Sequence, residues 1–264
     1  MAEIDAGGFT LSYDVSGRAN APPLLLSHAL GTTADLWSPQ MAAFSNAFRV
    51  IRYDTRGHGR SGVPPGSYTI DEIGRDALAV LDAAGVDRAH ICGLSLGGLT
   101  AMWLGIHAPH RIVSLILSST AARIGTPEGW NDRIQQVRTI GLGAIADATM
   151  QRWFTETFRQ RHPDIVSRHQ AMVASCHPDG YVGCCAAIRD ADLREAIRGI
   201  DAPALVIAGT SDPVTTPDHG REMRAGIARS RMVTLEAAHL SNVERADQFN
   251  ATVLEFLDGG LVGD

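Results

Sequence analysis

The chain has 264 residues, 45% of them hydrophobic and 20% charged, with a formal net charge of −6. It can bury a large core, and its mixed charges contain no polybasic run of the kind that tracks nucleic acid or an anionic membrane surface. No stretch reaches the ~18 uninterrupted apolar residues of a membrane span, and residues 1–15 lack a basic region followed by an apolar block, so a soluble cytoplasmic protein is expected.

In chain order, two antiparallel strands are expected over 2–5 and 9–15, turning at Gly7-Gly8. Residues 24–27, introduced by Pro22-Pro23, read as a short interior strand, followed by a tight polar loop over 29–33 and a helix near 35–44. A strand over 49–53 runs into Asp54-Thr55-Arg56-Gly57-His58-Gly59-Arg60-Ser61. An amphipathic helix over 70–84 stops at Gly85, and a strand over 89–92 and a helix over 96–107 follow. Strands over 112–117, 204–208 and 232–235 and an amphipathic C-terminal helix complete the pattern. Apolar strands without polar alternation, separated by helices, predict an α/β fold with a mostly parallel sheet covered on both faces.

That regularity breaks between 121 and 195, where helical patterns dominate. Trp130, Ile134, Val137 and Gly141 fall on one helical face, and Trp153, Phe154, Thr157 and Phe158 form an aromatic cluster. The division this suggests is a core of 1–120 and 196–264 with a helical cap, 121–195, inserted in it. The aromatics serve as the core of that cap, as walls of a pocket beneath it, or as both.

The most informative stretch is Gly93-Leu94-Ser95-Leu96-Gly97, set between an expected strand and an expected helix. A strand that becomes a helix within one residue leaves no room for side chains beside the turning residue, hence the flanking glycines. This is the pattern of a nucleophile elbow. The bland alternative is a glycine-rich turn in which Ser95 merely caps the helix.

A serine hydroxyl needs a base to take its proton, and the base needs an orienting carboxylate. In doubly wound sheets such groups sit in loops beyond the carboxyl ends of strands. Of ten histidines, His90 lies in a strand, His107 and His110 end the elbow helix, and His162, His169 and His177 fall in the cap. His219 falls in a helix, while His28 and His58 precede Ser95. His239, after the last strand, is the candidate base. Asp212, after the strand over 204–208, is the candidate acid, unless it caps a helix opening at Pro213. The order Ser95, Asp212, His239 is that of the α/β-hydrolase fold, and the three are expected to form one hydrogen-bonded line. Asp54 and His58 are read as scaffold.

The backbone N–H groups of Leu30, in His28-Ala29-Leu30-Gly31, and Leu96, at the helix start, are the candidate oxyanion hole. Cys92, Cys176, Cys184 and Cys185 lack zinc-ligand spacing and are expected to be reduced packing residues. No metal or organic cofactor is required by this chemistry.

Four stretches resemble the 3-oxoadipate enol-lactonases of the β-ketoadipate pathway of aromatic degradation: HICGLSLGGLTAMWLGIHAPHRI, SSTAARIGTPEGWNDRI, HPDGYVGCCAAIRDADL and EAAHLSNVERADQFN. The resemblance covers the whole chain. It implies lactone opening by Ser95, Asp212 and His239 beneath the cap. The family's Asn-Ser-Leu-Gly oxyanion loop is replaced here by His28-Ala29-Leu30-Gly31. A small anionic lactone would need a local cation, because the protein is net negative; Trp130 as apolar wall and Arg133 as anchor are the candidates, with Arg123 and Arg138 as alternatives. Competing expectations on the same triad are a general carboxylesterase or a cofactor-free perhydrolase, and, from another class, a ligand-binding receptor on a hydrolase scaffold.

Overall fold

A computed structural model of the chain describes residues 1–259; residues 260–264, the end of the expected core segment, lie outside the described residues. Eight strands form one sheet: β1 (Ala2–Asp5), β2 (Thr10–Ser16), β3 (Pro23–Ser27), β4 (Arg49–Tyr53), β5 (Ala89–Leu94), β6 (Ile112–Ser118), β7 (Ala204–Gly209) and β8 (Ser230–Leu235). Their order is β1-β2-β4-β3-β5-β6-β7-β8. The pairings β1 with β2 and β2 with β4 are antiparallel, and the others are parallel.

Period-2 alternation divides the strand residues between two cores. Leu25, Ile51, Ile91 and Val206 enter a core shared with α2 (Ile70–Ala83) and α3 (Leu96–His107). Leu24, Val50, Cys92 and Leu205 enter the opposite core, closed by Phe44 of α1 (Ser38–Ala47) and by Phe249 and Phe256 near the C-terminus. Each fully buried aliphatic or aromatic side chain contributes about 1.5–3 kcal/mol. Central strands are therefore mostly apolar, without polar alternation, as over 24–26 of β3 and 204–208 of β7.

Two expectations for residues 29–44 change for local reasons. The helix expected near 35–44 is a 3₁₀ turn, Ala34–Trp37, followed by α1, because Pro39 fits only the first turn of a new helix. The loop expected to be polar is instead buried at Ala29, Leu30 and Thr32. Its polar groups are satisfied internally, with Thr32 Oγ1 donating to the Ala29 carbonyl at 2.7 Å.

Between β6 and β7 run α4 (Pro127–Trp153), α5 (Glu156–Arg161), α6 (Pro163–Ala174) and α7 (Pro178–Asp190). Gly141 does not share a helical face with Trp130, Ile134 and Val137: its φ of 78° and ψ of 168° interrupt α4. Glycine alone adopts that backbone without strain, so α4 becomes two half-helices. After β7 the chain forms α8 (Pro217–Gly226), and after β8 it forms α9 (Ser241–Glu244) and α10 (Ala246–Gly259). Among the described residues no helix is long and apolar enough to cross a membrane.

Candidate active site

Ser95 sits between β5 and α3 with φ 57° and ψ −112°. Sterics dictate the flanking residues. A Cβ on Gly93 would lie 2.0 Å from the Gly97 carbonyl oxygen, and one on Gly97 would lie 2.0 Å from that of Ser27. The strained backbone is held from both sides: its N–H donates to the Ser118 carbonyl at 3.0 Å, and its carbonyl accepts the Thr120 hydroxyl at 2.8 Å. The hydroxyl makes no capping bond to α3, which removes the bland alternative for this serine.

The Nδ1–H of His239 donates to Asp212 Oδ2 at 2.8 Å, and both residues are buried. Asp212 Oδ1 accepts the N–H groups of Val214 and Thr215, and Oδ2 also accepts the Thr215 hydroxyl at 2.7 Å. Asp212 therefore anchors its own loop; α8 opens at Pro217 with Thr216 at the N-cap position. Burial would raise the Asp212 carboxyl, but the His239 charge and the donated hydrogen bonds outweigh it and lower the pKa. The carboxylate stays ionised beside the imidazole.

The expected line is only partly made. Ser95 and His239 line one cavity, but no hydrogen bond of 3.5 Å or less joins them among the described residues. Such contacts commonly tighten only when substrate is bound. The His239 loop is tied to the helices above it: the Leu240 N–H donates to the Trp153 carbonyl at 3.0 Å. Glu244 accepts from the Ala238 N–H at 3.0 Å and from the N–H and hydroxyl of Thr155.

Leu30 lines the same cavity, and Leu96, as the first residue of α3, has no intrahelical acceptor for its N–H. The Leu30 loop is fixed by two buried histidines. His58 Nε2 accepts the Gly31 N–H at 2.9 Å while its Nδ1 donates to the Arg56 carbonyl at 3.2 Å. His28 Nε2 accepts the Thr55 N–H at 2.9 Å, and its Nδ1 donates to the Ala29 carbonyl at 2.8 Å. One ring nitrogen must remain an acceptor, so both rings are neutral. Burial lowers His28 to about 4, and burial together with the repulsion a protonated His28 would exert lowers His58 to about 3. Asp54 accepts the N–H groups of Ala34 and Arg60 and completes the brace. Asp54 and His58 are absent from the cavity lining.

The cavity has a volume of about 300 Å³. Trp130 and Arg133 both line it, from the first half of α4. Arg123 instead pairs with Asp192 at 3.3 Å, and Arg138 lies outside the cavity lining. Arg152, Trp153 and Tyr181 also line the cavity; the sequence offers only Trp153 of these, within the aromatic cluster read as cap core, pocket wall or both. The Gly141 break and the docking of α7 bring these residues over Ser95. Tyr181 lines the cavity, and burial pushes its phenol up, so it stays neutral.

A mostly parallel sheet carrying a serine elbow, with an Asp–His pair after its last strands, defines a class. The chain belongs to the α/β hydrolase fold family, whose model matches residues 22–246. More narrowly, it is 43% identical over 250 residues to 3-oxoadipate enol-lactonase 2 of Acinetobacter baylyi, covering 95% of this chain and 94% of that one. It is 40% identical over 242 residues to 3-oxoadipate enol-lactonase 1 of the same organism, covering 92% and 91%. The crystal structure of the enol-lactonase from Burkholderia xenovorans LB400 superposes with a TM-score of 0.96 at 45% identity, covering 97% of this chain and 100% of that one.

Proposed function

We propose that this chain is a cytoplasmic serine hydrolase that opens 3-oxoadipate enol-lactone to 3-oxoadipate in the β-ketoadipate pathway, with residues 121–195 acting as a cap over the core. The observation that carries the reading is one cavity lined by Ser95, His239 and the cationic side chain of Arg133, in a chain so similar to named enol-lactonases.

His239 Nε2 takes the proton of Ser95 Oγ, and Oγ attacks the lactone carbonyl. The Leu30 and Leu96 N–H groups receive the negative oxygen, each donor worth on the order of 3 kcal/mol in the transition state. The tetrahedral intermediate collapses by breaking the ring C–O bond, and the electron pair leaves with the enolate. Proton delivery to carbon converts the tethered enol to a ketone, which prevents re-closure. Water deprotonated by His239 then attacks the acyl-serine, releasing a carboxylate and restoring Ser95. Asp212 keeps the imidazole oriented and stabilises its protonated form. Arg133 pairs with the carboxylate the lactone already carries, and Trp130 packs on its apolar part.

Steady-state turnover of the enol-lactone beside a panel of neutral acyl esters tests the proposal. A higher kcat/KM for the lactone supports it. Faster turnover of the simple esters would favour a general carboxylesterase, and tight binding without turnover would favour a receptor.

A further inference from the structure

The cavity carries more positive charge than one substrate carboxylate uses. Arg133 and Arg152 both line it, from opposite sides of the Gly141 break. Among the described residues its lining includes no Asp or Glu, and no ion pair of 4.0 Å or less involves either guanidinium. The side-chain hydrogen bond of Arg152, to Thr149 Oγ1, is long at 3.4 Å. Both guanidiniums face one cavity, and burial, and then the Arg133 charge, hold that of Arg152 below its usual range, so the two cations oppose each other. An anion between them removes that opposition. A second anionic group adds a second charge-assisted contact.

Hydrolysis changes the charge of the ligand. Water adds across the acyl C–O bond, the acyl carbon becomes a carboxylate, and one proton leaves, so a monoanionic lactone becomes a dianion. Two guanidiniums match two carboxylates; against one, a positive charge is left over.

We propose that Arg152 and Arg133 together form a two-cation site that binds small dicarboxylates in preference to monocarboxylates of equal length. The link to product rests on the lactone reading. On that reading the site favours the open diacid over the closed lactone within the enzyme and makes the product a competitive inhibitor. Trp130 and Trp153 supply apolar walls for the methylene chain, and the neutral Tyr181 hydroxyl supplies a further donor.

The test uses hydrolysis of a neutral chromogenic ester by the full-length protein, inhibited by adipate or by 6-hydroxyhexanoate, which has the same length but one carboxylate. Wild type is expected to bind adipate at least about tenfold more tightly, the worth of one charge-assisted contact. Arg152→Gln is expected to bring the two inhibition constants within about twofold, and Arg152→Lys to keep part of the difference. Equal inhibition in wild type, or an undiminished preference in a folded Arg152→Gln, would overturn the site. Because the readout is a neutral ester, the inference and the lactone reading fail separately. A dicarboxylate preference without enol-lactone turnover sinks only the product link, and lactone turnover without that preference sinks only the site.

Discussion

The carboxylate oxygen of Asp212 that accepts His239 Nδ1–H at 2.8 Å also accepts the Thr215 hydroxyl at 2.7 Å. This shared oxygen fixes which imidazole nitrogen carries the proton and leaves Nε2 unprotonated for the proposed role of base. Ser95→Ala is therefore expected to lower kcat on the order of 10⁶-fold, and Asp212→Asn about 10⁴-fold, because an amide no longer enforces that tautomer. Steady-state kinetics on either an ester or the lactone reads both. Turnover of Asp212→Asn within a few-fold of wild type would remove this role for Asp212.

His58 is a brace in this account, because its Nε2 holds the Gly31 N–H beside Leu30. His58→Ala leaves that buried N–H without its acceptor and the Arg56 carbonyl with only the Cys184 thiol as donor, and is expected to destabilise by about 1–3 kcal/mol. It should also lower kcat through the loosened Leu30 loop, while the pH profile of the remaining activity keeps its shape. A changed titration limb in that profile would instead give His58 a proton-transfer role.

Acid should destabilise the fold through the same pair. The folded values of His28 and His58, about 4 and about 3, lie below the ordinary 6.5, so the unfolded chain binds more protons as pH drops from 6.5. The stability from keeping them neutral is fully present above 6.5 and is lost towards pH 4, at up to about 1.4 kcal/mol per pH unit for each ring. Urea midpoints at pH 7.5 and pH 5 measure it. An unchanged or higher midpoint at pH 5 would contradict the neutral pair.

Arg133→Ala is expected to raise KM for the anionic lactone by about tenfold or more and to leave KM for a neutral ester within about twofold. Equal effects on both substrates would remove Arg133 as the carboxylate anchor.

How far the sequence alone reaches can be judged from particular residues. Apolar runs such as 24–26 and 204–208 announce themselves as strands because burial on both faces favours apolar side chains, and the elbow does so because only glycine fits beside Ser95. The break at Gly141 did not, since a glycine at helical spacing is compatible with a continuous face until its φ is known. Arg152 and Tyr181 were hidden for a related reason: their arrival over Ser95 depends on how the half-helices and α7 dock, which local periodicity does not encode. The buried pairing of the 28–34 loop with the 54–61 segment was likewise invisible, because each histidine taken alone looks like a loop residue.

The central claim is that Ser95 carries the acyl group. Lactone opening expels no fragment, so a rapidly quenched reaction of the protein with the enol-lactone should show a covalent adduct of the full substrate mass, mapped by peptide mass spectrometry to residue 95. Ser95→Ala should show neither adduct nor turnover. Undiminished lactone turnover by Ser95→Ala would contradict the account.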